Sequence, residues 1–153
     1  MRAVLDTCVL IDAVFNGDRH CQDVLRQSGS TYQVLLSKDI LTEYILIVIR
    51  FGIQGRVAGR SIVRVAEAMV QLLKGADFVC PKQHNMCTVD PGDNKFVDCA
   101  IDGDADFIVT GDHHLTSIPG PILNSSGKTV QAVSAWQFLD TIKISGARGR
   151  RGG

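Results

Sequence analysis

Two aspartates close short apolar runs in this sequence. Asp6 follows Arg2-Ala3-Val4-Leu5, and Asp112 follows Phe107-Ile108-Val109 across Thr110-Gly111. Runs of this kind predict buried strands, and in open parallel sheets ligands bind beyond the carboxyl ends of the strands. Either acid alone reads equally well as a turn or cap residue. Asp93 adds to the pattern. At ~100° per residue, a helix from Asp93 to Ile101 presents Phe96, Val97, Ala100 and Ile101 as one apolar face, with Asp93 at the N-terminal end of its centre line. A carboxylate aimed at a sheet is costly unless something pairs with it, although Asp93 also fits a helix N-cap. Asp98 falls well off that face, on the side shared with Asn94 and Asp102, as a reserve ligand, a supporting residue or a solvated one. Glu43 lies about two turns into another helix. It either faces the same cleft or pairs along its helix with Arg50 or Lys38. Four carboxylates brought together repel one another and their pKa values rise. A divalent cation relieves the repulsion, and all-oxygen ligation suits Mg²⁺ or Mn²⁺ better than zinc. Such a site serves phosphoryl transfer, in which one or two ions orient a water, lower its pKa and neutralise charge on the attacked phosphate.

The elements that must position these acids alternate along the chain. Strands are predicted at Arg2–Leu5, Tyr32–Leu36, Phe78–Cys80 and Asp106–Val109, with a weak fifth near Ile122-Leu123 or Thr129-Val130. Helices are predicted from Thr7 to Asn16, Asp18 to Gln27, Lys38 to Phe51, Ile62 to Leu73, Asp93 to Ile101 and Trp136 to Ile142, the last behind a Ser134–Gln137 capping box. The segment Lys38–Phe51 is awkward, because Ile45-Leu46-Ile47-Val48-Ile49 also reads as a buried strand. The Ser37 cap, the length and the Gly52 stop favour a helix. A helix apolar almost all round is buried or lies in an oligomer interface, so Leu41–Phe51 predicts a homodimer. Strands alternating with helices predict an α/β fold with a mostly parallel sheet and right-handed crossovers. One domain is expected over residues 1–145, followed by a Gly/Arg-rich tail, 146–153, expected to be disordered.

Composition excludes some classes and leaves others open. The formal net charge of the 153 residues is zero. Overall charge therefore does not announce a nucleic-acid partner, and attraction to phosphate must come from metal ions or local patches. Arg50, Arg56, Arg60, Arg64 and Lys74 form either such a patch or a solvated face. Of the 16 acids only Glu43 and Glu67 are glutamates. Aspartate favours caps, turns and metal ligation over helix interiors. The 5 cysteines are odd in number, irregularly spaced and without a recognisable signal peptide, which predicts free thiols in a reducing cytoplasm. No apolar run approaches the ~20 residues that cross a membrane. Cys80, His84 and Cys87 lack a fourth ligand, and their spacing fits no standard zinc pattern.

Together the motifs resemble the PIN-domain nucleases. They read Val4-Leu5-Asp6-Thr7, the mid-helix Glu43, the Asp90–Ala100 stretch with Asp93-Asn94-Lys95-Phe96 at its heart, and Ala105-Asp106-Phe107-Ile108-Val109-Thr110-Gly111-Asp112. The closing Val133–Leu139 is similar to the end of the VapC-like subgroup, the toxin components of toxin–antitoxin pairs. Gly92 and His113-His114 depart from the common form, which favours an acid at the first and Lys/Asp-Leu at the second. The resemblance implies a three-layer α/β/α sandwich around a short, mostly parallel sheet of four to five strands. It implies Mg²⁺- or Mn²⁺-dependent cleavage of RNA, an antitoxin partner and a homodimer. It makes Asp6, Glu43, Asp93 and Asp112 the metal ligands, with Asp98 as a fifth candidate. Thr7, Asn94 and Thr110 become polar contacts near ion or phosphate. His113 either contacts phosphate or is an exposed turn histidine.

Two other classes fit the sequence less well. A catalytically silent RNA-binding or assembly module on the same fold is opposed by the intact acids. A phosphotransfer domain using Asp6 as nucleophile wants an acid pair flanking the first strand's end and a lysine after a later strand, and neither is clear here.

Overall fold

The computed structural model describes residues 1–53, 59–83 and 90–149. His84 and Cys87 of the Cys80 group lie outside these residues, as do Arg56 and the end of the tail from 150.

The chain begins with β1 (Arg2–Leu5) and turns at Asp6 into α1 (Thr7–Ile11), which widens into a π-helical turn over Asp12–Asn16. Then come α2 (Arg19–Gln27), β2 (Gln33–Ser37), α3 (Lys38–Ile53), α4 (Gly59–Lys74) and β3 (Ala76–Val79). A 3₁₀ turn at Pro91–Asp93 leads into α5 (Asn94–Asp102), followed by β4 (Phe107–Val109), α6 (His113–Thr116), β5 (Ile122–Leu123), β6 (Thr129–Val133) and α7 (Ala135–Gly149). Local chemistry accounts for the starts. The Asp18 carboxylate accepts from the Cys21 amide at 2.8 Å to cap α2, and the Ser37 hydroxyl accepts from the Ile40 amide at 3.3 Å to cap α3. The Ser134 amide donates to the Gln137 side chain at 2.9 Å, closing the expected box at α7.

The sheet order is β3-β2-β1-β4-β6-β5, parallel throughout except for the antiparallel β5–β6 pair. It has six strands where four to five were expected. Both candidate positions for the last strand are strands, and they pair with each other. Ala3 to Leu5, Val34 to Ser37 and Phe107 to Val109 are buried without alternation, as in a parallel sheet covered on both faces. Helix α5 packs across β1, β2 and β4 and meets α3, whereas α2 meets α4 and α7 and α7 lies against β4. Helix α7 runs to Gly149 and so takes in the first residues of the glycine/arginine segment.

Strands β2 and β3 are laid down on one side of β1, and β4 and β6 on the other. The direction of winding therefore reverses between β1 and β4. In open α/β sheets that reversal leaves a crevice at the strands' carboxyl ends.

Candidate active site

Asp6 and Thr110 leave the sheet side by side at this crevice. The Asp6 amide donates to the Val109 carbonyl at 2.9 Å, and the Thr110 amide donates to the Val133 carbonyl of β6 at 2.9 Å. The backbone thus holds both residues at the rim. The Thr110 hydroxyl, 1% exposed, donates to Asp6 Oδ2 at 2.6 Å and accepts from the Asp112 amide at 2.8 Å. One hydroxyl therefore fixes one acid and orients the chain that carries another. The Cys8 thiol donates to Asp6 Oδ2 at 3.0 Å and receives the Gly111 amide at 3.0 Å. Burial, reinforced by the neighbouring Asp6 charge, pushes this thiol up to about 12, so it stays protonated and serves as a donor.

Glu43 is brought in by α3. The Tyr44 hydroxyl donates to the Leu5 carbonyl at 2.5 Å, tying the residue after Glu43 to the residue before Asp6. The Thr7 hydroxyl donates to Glu43 Oε1 at 2.5 Å, and Lys95 from α5 forms an ion pair with Oε2. The partners foreseen within α3, Arg50 and Lys38, are not the ones used. The hydroxyls of Thr7 and Thr110 are committed to carboxylates, which makes both residues positioning groups for acids.

Asp93 ends the 3₁₀ turn and caps α5 by position, without a side-chain capping hydrogen bond. Its Oδ2 is buried and has no hydrogen-bond partner among the described residues. Burial and then the charges of Asp6, Asp112 and Asp90 raise its pKa to about 6, against a smaller opposing pull from Lys95. Asp112 caps α6, its Oδ1 accepting from the His114 amide at 2.8 Å. Asp6, Asp93 and Asp112 therefore share one electrostatic neighbourhood, with Glu43 joined to it through Thr7 and Lys95.

Asp98 is a correction. It is 9% exposed on a helix whose residues from Phe96 to Ile101 are all buried. A one-faced helical wheel assigned it to the polar side. Three strands and α3 cover α5, so no solvated side remains at its centre. Asn94 opens α5 beside Asp93 and is partly buried, and the His113 side chain is 81% exposed. Two participants were missed from sequence, Lys95 and Cys8. A cation was needed beside four acids, and Lys95 stands two residues from Asp93. Nothing in the sequence marked Cys8. Arg64, foreseen as part of an electropositive lip, lines a groove of about 770 Å³ with Gln22, Arg26, Glu67 and Gln71, which none of these acids lines.

The donor set fits a hard divalent cation. It is all oxygen, and Asp93 Oδ2 is buried without a partner, a state that burial near like charges penalises unless a cation answers it. Among the described residues no three of these acids bring their oxygens within 4.8 Å of one another.

The sequence matches the family model described as "PIN domain" over residues 2–114. No curated protein matches it in sequence at a significant level. In structure it is similar to a chain of VapBC2 from Rickettsia felis, crystallised bound to a DNA fragment from the promoter. The TM-score is 0.53 at 14% identity, over 86% of this chain and 98% of that one.

Proposed function

Because the chain belongs to the PIN domain family, we propose that it is a metal-dependent endoribonuclease that hydrolyses RNA phosphodiester bonds at the Asp6–Asp93–Asp112 crevice. The observation that carries this reading is Asp93: a carboxylate with a buried, unpartnered oxygen, raised to about 6 by burial and by Asp6 and Asp112. Such strain clusters at functional sites.

Asp6, Glu43, Asp93 and Asp112 would hold Mg²⁺ or Mn²⁺, with Asp98 in reserve behind them. The ion supplies Lewis acidity toward a water and toward the phosphate. The chain supplies the rest. Thr110 and Cys8 fix the direction of Asp6, and Thr7 fixes Glu43. Lys95 offsets part of the negative charge that would otherwise repel an RNA backbone. Asn94 and His113 stand at the edge as substrate contacts, and no side chain has to act as general base.

The reading extends to biology. The shared fold of VapBC2 supports a toxin whose antitoxin partner inserts into the acidic crevice. The apolar residues Ile45, Leu46 and Ile49 of α3, 46%, 59% and 51% exposed, support a homodimer through that helix. A cytoplasmic location belongs to the toxin reading; no helix among the described residues is long and apolar enough to cross a membrane.

The test is incubation of the purified protein with single-stranded RNA and Mg²⁺ or Mn²⁺, alongside Asp6→Asn and Asp112→Asn. Cleavage by the wild type and none by the variants supports the reading. RNA binding without metal and without cutting would favour a catalytically silent RNA-binding module instead.

A further inference from the structure

We propose that Asp112, His113 and His114 form a separate site for a borderline divalent cation of the zinc class, at the outer rim of the acidic crevice. The proposal concerns the ligand chemistry of three consecutive side chains and stands whether or not the protein cuts RNA. Among the described residues this is the one group in which three His, Cys, Asp or Glu donor atoms lie within 4.8 Å of one another. His113 Nδ1 is 3.5 Å and His114 Nδ1 3.6 Å from Asp112 Oδ1. These separations are too long for hydrogen bonds, which fall at ~2.7–3.2 Å for nitrogen and oxygen. They are close to the edge of a zinc polyhedron, since bonds of ~2.0–2.1 Å at tetrahedral angles set neighbouring donors ~3.3 Å apart. The carboxylate is fixed by the His114 amide at 2.8 Å, and the two imidazoles lie together with centroids 4.2 Å apart.

Ligand type separates this rim from the crevice behind it. Asp6 is 6% exposed and sits among oxygen donors, which suit a hard ion. The side chains of His113 and His114 are 81% and 35% exposed, so an ion can enter and water can complete its shell. Imidazole nitrogen favours zinc, cobalt and their neighbours over Mg²⁺. Asp112 belongs to both settings, so an ion at the rim competes with the crevice for that carboxylate.

The experiment is titration of the full chain with Co²⁺, read by its visible d–d absorption, followed by displacement with Zn²⁺ against a chromophoric chelator. It is run in a Cys80→Ser, Cys87→Ser background, so that those thiols cannot supply ligands. We expect one ion per chain with nitrogen–oxygen ligation, distinguished by its spectrum from any all-oxygen ion in the crevice. The pair His113→Gln, His114→Gln should weaken the nitrogen-ligated ion on the order of tenfold or more, while Asp6→Asn and Asp93→Asn, which disturb only the ion of the crevice, keep its d–d spectrum. Circular dichroism of each variant confirms that the fold persists. An undiminished nitrogen-ligated Co²⁺ spectrum in the double histidine variant would overturn the proposal. So would an equal loss in Asp6→Asn, because the ion would then sit among the crevice acids. Loss of RNA cleavage in Asp6→Asn with rim binding intact separates this site from the nuclease reading.

Discussion

The Thr110 hydroxyl donates to Asp6 and accepts from the Asp112 amide, so its removal strands a buried acceptor and a donor together. Thr110→Val should cost about 1–3 kcal/mol of stability and reduce RNA cleavage about 10–100-fold, with Thr110→Ser restoring most of both. Equilibrium denaturation and cleavage rates read the two effects. Asp93 predicts the opposite sign for stability. Its pKa is raised from 3.8 to about 6 in the folded protein, so the native state holds the proton more tightly than the unfolded chain. Folding therefore loses stability as pH rises between those values, and the loss is complete above about 6. In EDTA, Asp93→Asn should be more stable than wild type by about 1 kcal/mol at neutral pH, allowing for solvent screening, with no gain below about pH 4. Denaturant midpoints at the two pH values check this. A gain at acid pH but none at neutral pH would contradict the account of Asp93.

Elements were legible in the sequence where a local rule agreed with the fold. The Ser37 cap, the Ser134–Gln137 box and the strand ends at Asp6 and Asp112 all follow from chemistry within a few residues. What was not legible depends on contacts between distant segments. The burial of Asp98 requires β1, β2, β4 and α3 to close around α5. The pairing of Glu43 with Lys95 requires α3 and α5 to meet. A helical wheel of either segment contains neither fact. The sequence marked Ile122-Leu123 and Thr129-Val130 as alternatives for one strand; that both are strands depends on their pairing with each other. One tight approach is equally invisible in sequence. A Cβ on Gly75 would stand 2.7 Å from the Gly29 Cα, where the turn after α2 meets the end of α4. Gly75→Ala should therefore destabilise the protein by about 1–3 kcal/mol, read as a lowered thermal midpoint. An unchanged midpoint would mean that the two turns can separate freely.

At the scale of the whole molecule, the winding reversal between β1 and β4 brings Asp6 and Asp112 to one crevice, while α3 and α5 deliver Glu43 and Asp93. The net charge is zero, so the proposed RNA substrate would have to be captured by local charges, and the salt dependence of binding would count the phosphates they neutralise. Ile45, Leu46 and Ile49 of α3 are exposed. The homodimer proposed through α3 predicts that Leu46→Glu lowers the mass seen in light scattering from two chains to one, with the circular dichroism of the folded chain unchanged. An unchanged mass would remove α3 from the interface. The central claim, that the crevice acids hold a cation that drives RNA hydrolysis, is tested most directly by cleavage rates on one single-stranded RNA. Wild type and Asp6→Asn are compared in Mn²⁺, in Mg²⁺ and in EDTA. The account predicts cleavage by the wild type with metal, none in EDTA, and a loss of roughly 100-fold or more in Asp6→Asn. Equal cleavage by both proteins, or cleavage that survives EDTA, would contradict it.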